Sequence, residues 1–160
     1  MSTAPRLAPG PGPSFLSSPN RILSTLFGAA YLGIGAIGFF YTGGTPFAGP
    51  DLDGGNLILG IFEVNPLHNM AHLLIGAALF IAGVSSAAVS RLVNLTVGAA
   101  YLLLGFVGFF LAADHDSPLN FLSLNTPGHF LHLGSAIILL VVGLGADRSV
   151  RPAATTTAVA

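Results

Sequence analysis

The chain has no cysteine, no lysine and no tryptophan. Without cysteine there is no disulfide, no iron–sulfur cluster and no thiolate metal site, and the redox compartment stays open. Charge of either sign is scarce as well. Five arginines, five aspartates and one glutamate make 7% of 160 residues, against about 25% in an ordinary soluble domain. So few charges cannot solvate a particle that is 52% hydrophobic and carries 12 Phe and 21 Gly. A soluble enzyme of the usual kind is excluded, and so is a nucleic-acid binder, which needs a basic patch. Phosphate-loop, dinucleotide, G-x-S-x-G and H-E-x-x-H motifs are missing too, so no catalytic residue is assigned. These exclusions leave a polytopic membrane protein of about one domain's length.

Four stretches are apolar for long enough to cross a bilayer, about 19–41, 66–86, 91–113 and 127–146, with Arg21 and Arg91 as the charges they hold, each near a start. Roughly 20 helical residues match a hydrocarbon core of about 30 Å, and backbone in lipid must satisfy its own hydrogen bonds, so these are helices. The expected fold is all-α, a four-helix membrane bundle. Charge sets the expected orientation. Arg6, Arg21, Arg91, Arg148 and Arg151 all fall on one side of an even number of spans, and every acid except Asp147 falls on the other. The positive-inside rule places both termini in the cytoplasm of a bacterium, with the bundle in its inner membrane. Segments 1–18 and 147–160 lack patterning and read as disordered tails. The first apolar stretch is too long for a signal peptide and reads as a retained span. Asn56–Phe62 and Leu119–Leu124 are short apolar runs that read as interfacial segments, and the Gly43–Gly55 loop reads as a turn-rich connector.

The chain is internally duplicated. Arg21–Phe40 and Arg91–Phe110 agree at ten of twenty positions at an offset of 70, including Gly-Ala-Ala-Tyr-Leu and Gly-Phe-Phe. Asn65–Leu73 corresponds to Asn125–Leu133 at an offset of 60. Two tandem helical hairpins follow, in the same orientation and related by a pseudo-two-fold axis along the membrane normal. Gly28, Tyr31, Gly35 and Gly38, like Gly98, Tyr101, Gly105 and Gly108, have the 3-4-3 spacing of a packing seam with small residues for close approach. A tyrosine hydroxyl in hydrocarbon needs a partner, so Tyr31 and Tyr101 are expected to face another helix.

Four of the five histidines stand in spans two and four. His68 and His72 share a helix face with Asn65, and His129 and His132 share one with Asn125. Asn65 before Pro66, and Asn125 or Thr126 before Pro127, read as helix caps, so both polar stripes enter the membrane from the outer side. Polar residues there turn toward the bundle interior. His68, His72, His129 and His132 are the candidate cofactor ligands: for a divalent metal, with Glu63 and the Asp114-His115-Asp116 loop nearby, or for a haem held by one histidine from each hairpin. Asn69 completes the polar set. Helix capping and cross-bundle hydrogen bonding are the structural alternative, and proton handling or pH sensing are further ones. A transporter ranks last, because no span interior carries a charge.

Val64, Asn65, Pro66, His68, Asn69, His72 and Leu73 resemble the V-N-P-x-H-N-x-x-H-L signature of a family of small bacterial four-helix membrane proteins described as a domain of unknown function. The resemblance covers about residues 19–145 and implies membrane location and four spans, without chemistry. The leading expectation is a structural or accessory protein of the inner membrane, a homo-oligomer or a subunit of a membrane complex, with no nucleic acid. The alternative is a haem- or metal-binding protein in electron transfer.

Overall fold

Three of the four long helices begin with the same local device. Ser18 ahead of Pro19, Asn65 ahead of Pro66 and Asn125 ahead of Thr126-Pro127 each accept a backbone N–H three residues on. Proline's fixed φ and missing donor suit a first turn, and the cap satisfies an otherwise orphaned N–H for about 1 kcal/mol. In the computed structural model, which describes residues 14–50, 57–111 and 116–148, the chain forms α1 (Pro19–Tyr41), α2 (Pro66–Ser85), α3 (Ala87–Leu111) and α4 (Thr126–Gly145). All four are long and apolar enough to span a membrane. Arg6, Asp51, Asp53, Asp114, His115 and Arg151 lie outside the described residues, as do most of the two tails.

Hydrophobicity is distributed as lipid requires. Phe40, Leu103, Phe110 and Val141 point outward, while the interior is a small cluster of Tyr31, Leu79, Val97, Tyr101, Ala136 and Leu139. Within the first hairpin the backbones nearly touch. A Cβ on Gly28 would stand 2.7 Å from the Phe80 Cα, and one on Gly76 would stand 2.7 Å from Leu32 N. The seam glycines therefore serve the partner within the hairpin, whereas the seam tyrosines turn toward the other hairpin.

The ends differ from the sequence expectation in three places. The third helix starts at Ala87, four residues early, because only Ser86 is needed to turn the chain: its hydroxyl accepts Val89 N at 3.2 Å. The inner ends of the two segments read as tails carry structure. Phe15–Ser17 form a 3-10 turn, and Asp147 is tied to α1. The run before α2 is a β-hairpin, β1 (Leu57–Ile58) against β2 (Phe62–Glu63), turning at Leu59 and Gly60 with φ of +55° and +69°. Two successive left-handed residues make the tight turn whose twist suits paired strands. Ile58, Val64 and Leu124 are buried, so this hairpin and the loop 116–125 close one end of the bundle as a cap.

Contacts across the bundle follow the duplication. At the cap end, Asn65 Nδ2 donates to Phe121 O at 2.8 Å, and Asn125 Nδ2 donates to Ile61 O at 2.7 Å. Each asparagine thus caps its own helix with Oδ1 and clasps the other copy's loop with Nδ2. At the opposite end, Arg21 Nε reaches Gly83 O at 3.0 Å and Arg91 Nε reaches Gly143 O at 2.7 Å. These guanidinium groups satisfy terminal helix carbonyls and favour the negative end of the helix dipole. Pairs at equivalent sequence positions also touch: Glu63 with Ser123, His72 with His132, Tyr31 with Tyr101, and Ser24 with Asn94.

Candidate functional site

Beneath the cap the four helices converge on a belt of rings. Tyr31 of α1 stacks on His72 of α2 with centroids 5.4 Å apart, and Tyr101 of α3 lies 4.8 Å from His132 of α4. The two tyrosines meet edge to face at 5.5 Å. His68, one turn before His72, completes the group at 4.4 Å from His72 and 5.7 Å from His132. Helical spacing puts positions 68 and 72 on one face, and the hairpin clasps bring His132 to the same level.

His68, His72 and His132 each offer a ring nitrogen within 4.8 Å of the others, and all three side chains are buried. Among the described residues, no hydrogen bond of ordinary geometry reaches either nitrogen of His68 or His72, Nδ1 of His132, or the hydroxyls of Tyr31 and Tyr101. By looser geometry His68 interacts with backbone groups of Leu122 and Glu63, and the Tyr31 hydroxyl with Ser135 and with the Tyr101 hydroxyl. Buried polar groups almost always have partners, so a concentration of unpaired lone pairs marks a place suited to an additional ligand. Three imidazoles are a common donor set for zinc, copper, iron or nickel.

The remaining candidates divide. His129 is buried but stands outside the triad, packed on Gly108 and 4.9 Å from the Phe109 ring. The offset of 60 explains this: it equates His72 with His132, but His129 with Asn69 and His68 with Gly128. Asn69 sits against Gly38 as His129 sits against Gly108, and its Nδ2 donates to Thr42 Oγ1 at 3.2 Å. Glu63 is buried in the cap and accepts from Ser123 Oγ at 3.3 Å; it does not belong to the triad. Asn65 and Asn125 build the cap.

Sequence reasoning missed a second polar cluster, at the arginine end. Asp147 Oδ2 accepts Ser18 Oγ at 2.7 Å and Asn20 Nδ2 at 2.9 Å. Asn94 Nδ2 donates to Asn20 Oδ1 at 3.0 Å, and Ser24 Oγ donates to Asn94 Oδ1 at 2.7 Å. Burial raises the Asp147 pKa, but the hydrogen bonds from Ser18 and Asn20 lower it further, and the net shift is below the ordinary carboxylate value. The signal was available: Asp147 is the one acid that breaks the charge segregation, and Ser24 and Asn94 are polar at equivalent positions.

A family model described as Domain of unknown function (DUF4383) matches residues 21–145, from the first turn of α1 to the last residue of α4. No curated protein and no solved structure matches the chain.

Proposed function

The chain belongs to that family, and we propose that it is a membrane-embedded ion-binding protein in which His68, His72 and His132 hold one zinc- or copper-type ion. The observation that carries this reading is the convergence of three buried ring nitrogens within 4.8 Å. A tetrahedral zinc with bonds of about 2.0–2.1 Å separates its ligand nitrogens by roughly 3.4 Å. Small side-chain rotations supply that contraction. Three protein ligands leave a fourth position, and the Tyr31 and Tyr101 rings border it. The same crowding speaks against haem. Tyr31, Tyr101 and His68 surround His72 and His132 so closely that a flat macrocycle has no slot between them. Neutral imidazoles leave the ion's charge uncancelled, and an uncompensated buried charge is expensive. The site therefore favours ions for which imidazole bonds are strong over hard cations such as magnesium.

The hairpins are related by a pseudo-two-fold axis along the membrane normal, and the ion sits beside it. Reciprocal clasps by Asn65 and Asn125, and contacts between equivalent residues at successive depths, support this, as expected of an isologous interface. With Arg21, Arg91 and Arg148 at the cytoplasmic end in a bacterial inner membrane, the ion site lies toward the outer side, beneath the cap.

The test is metal analysis of protein purified in detergent, loaded with zinc or copper and desalted. One ion per chain is expected, lost in His72→Ala and His132→Ala and kept in His129→Ala. Failure of the wild type to retain either ion would overturn the reading and leave a structural or accessory role for the bundle.

A further inference from the structure

Glu63 is the only acid or arginine that is buried among the described residues, at 6% exposure. Pairing with Leu57 fixes its backbone in the cap, and by looser geometry that backbone and the one of Leu122 meet the His68 ring. Its carboxylate accepts from the hydroxyl of Ser123, the residue after Leu122, at 3.3 Å. The two segments that touch His68 are therefore the two that the carboxylate joins.

The duplication supplies an internal comparison. At the offset of 60 Glu63 corresponds to Ser123, so one copy has a carboxylate where the other has a hydroxyl, and the two are bonded to each other. Ser123 is fully buried and left-handed, with φ of +53°, a conformation that glycine adopts at less cost. What serine adds there over glycine is the hydroxyl that donates to Glu63.

Resting on the ion-binding reading of the triad, we infer that Glu63 supplies the counter-charge of the bound ion and sets its preference, for a divalent cation of the zinc type over a monovalent one such as the cuprous ion. Three neutral imidazoles bring donor atoms and no charge. Glu63 acts through space and leaves coordination to the histidines, whose group it does not join. Coulomb attraction is proportional to the charge of the ion, so the carboxylate favours a divalent ion by its attraction for one further unit of charge. At roughly 10 Å and an effective dielectric of about 20, that attraction is worth on the order of tenfold in affinity.

Silver serves as the monovalent probe, since the chain has no cysteine to divert it. Dissociation constants for zinc and for silver are read by calorimetric titration of the full chain in detergent. Glu63→Gln should weaken zinc roughly a hundredfold and silver roughly tenfold, so the preference for zinc falls about tenfold. Glu63→Ser, which gives the first copy the residue of the second, is another neutral variant with the same expected ratio. Glu63→Asp keeps the charge and should hold the preference within about threefold of the wild type; helical circular dichroism checks that each variant is folded. A disturbed cap without a charge effect weakens both ions alike. Equal losses or no loss in the neutral variants, or a preference lost as fully in Glu63→Asp, would overturn the inference and leave the triad as the ion site. A wild type that binds neither ion would instead remove the triad reading, and this inference with it.

Discussion

His72 carries two unpaired ring nitrogens in a buried position. Leaving such groups unpaired costs about 1–3 kcal/mol each, so the side chain opposes folding unless something binds it. Two opposite outcomes follow for His72→Phe in thermal unfolding. Without added metal the variant should be as stable as the wild type or more so. With zinc or copper added, only the wild type should gain, by about 2.7 kcal/mol at a hundred times the dissociation constant. The other polar cluster behaves differently because its partners are present. Asn94→Ala strands Ser24 and Asn20 in the interior and should cost about 1–3 kcal/mol in denaturant titration. The sequence marked all three triad histidines but could not separate them from His129, since helical spacing alone allows all four to face inward. What separates them is that His129 is the counterpart of Asn69 in the duplication and not of His68, a one-residue difference whose consequence needs the interhelical distances.

At the scale of elements, the four helices were legible from length and apolarity, and the capping asparagine and proline at the starts of α2 and α4 agree with them. The β-hairpin was not. Two-residue strands carry no periodic signal, and its turn uses Leu59-Gly60 rather than the Asn-Gly or Asp-Gly pair that announces such a turn. Element junctions also carry the pH dependence. Asp147 joins the end of α4 to the start of α1, and its carboxyl pKa is lowered in the folded protein below the ordinary value of 3.8. The folded state then binds fewer protons than the unfolded one in that range. The stabilisation is complete above pH 3.8 and disappears as pH falls through the lowered value. Asp147→Asn should lower stability at neutral pH and flatten this acid limb, read by unfolding midpoints measured between pH 6 and pH 2. Helix approach is a second lever: Gly76→Val forces α1 from α2 and should cost about 1–3 kcal/mol.

For the whole molecule, duplication lets a short chain make an enclosed interior. Each hairpin supplies one Tyr–His ring contact and one clasping asparagine, and His68 in the first copy and His129 in the second are departures from the repeat. Orientation is testable because the chain has no cysteine of its own. Leu59→Cys, in the exposed cap turn, should react with an impermeant maleimide on intact spheroplasts, and Ser85→Cys, in the exposed turn at the arginine end, only after permeabilisation. The account turns most directly on the ligands of a bound ion, and X-ray absorption at the metal edge of the loaded protein reads them. Three imidazole nitrogens at about 2.0–2.1 Å from zinc are expected, with the imidazole scattering reduced in His132→Ala. An all-oxygen coordination shell, or a spectrum unchanged by that substitution, would contradict it.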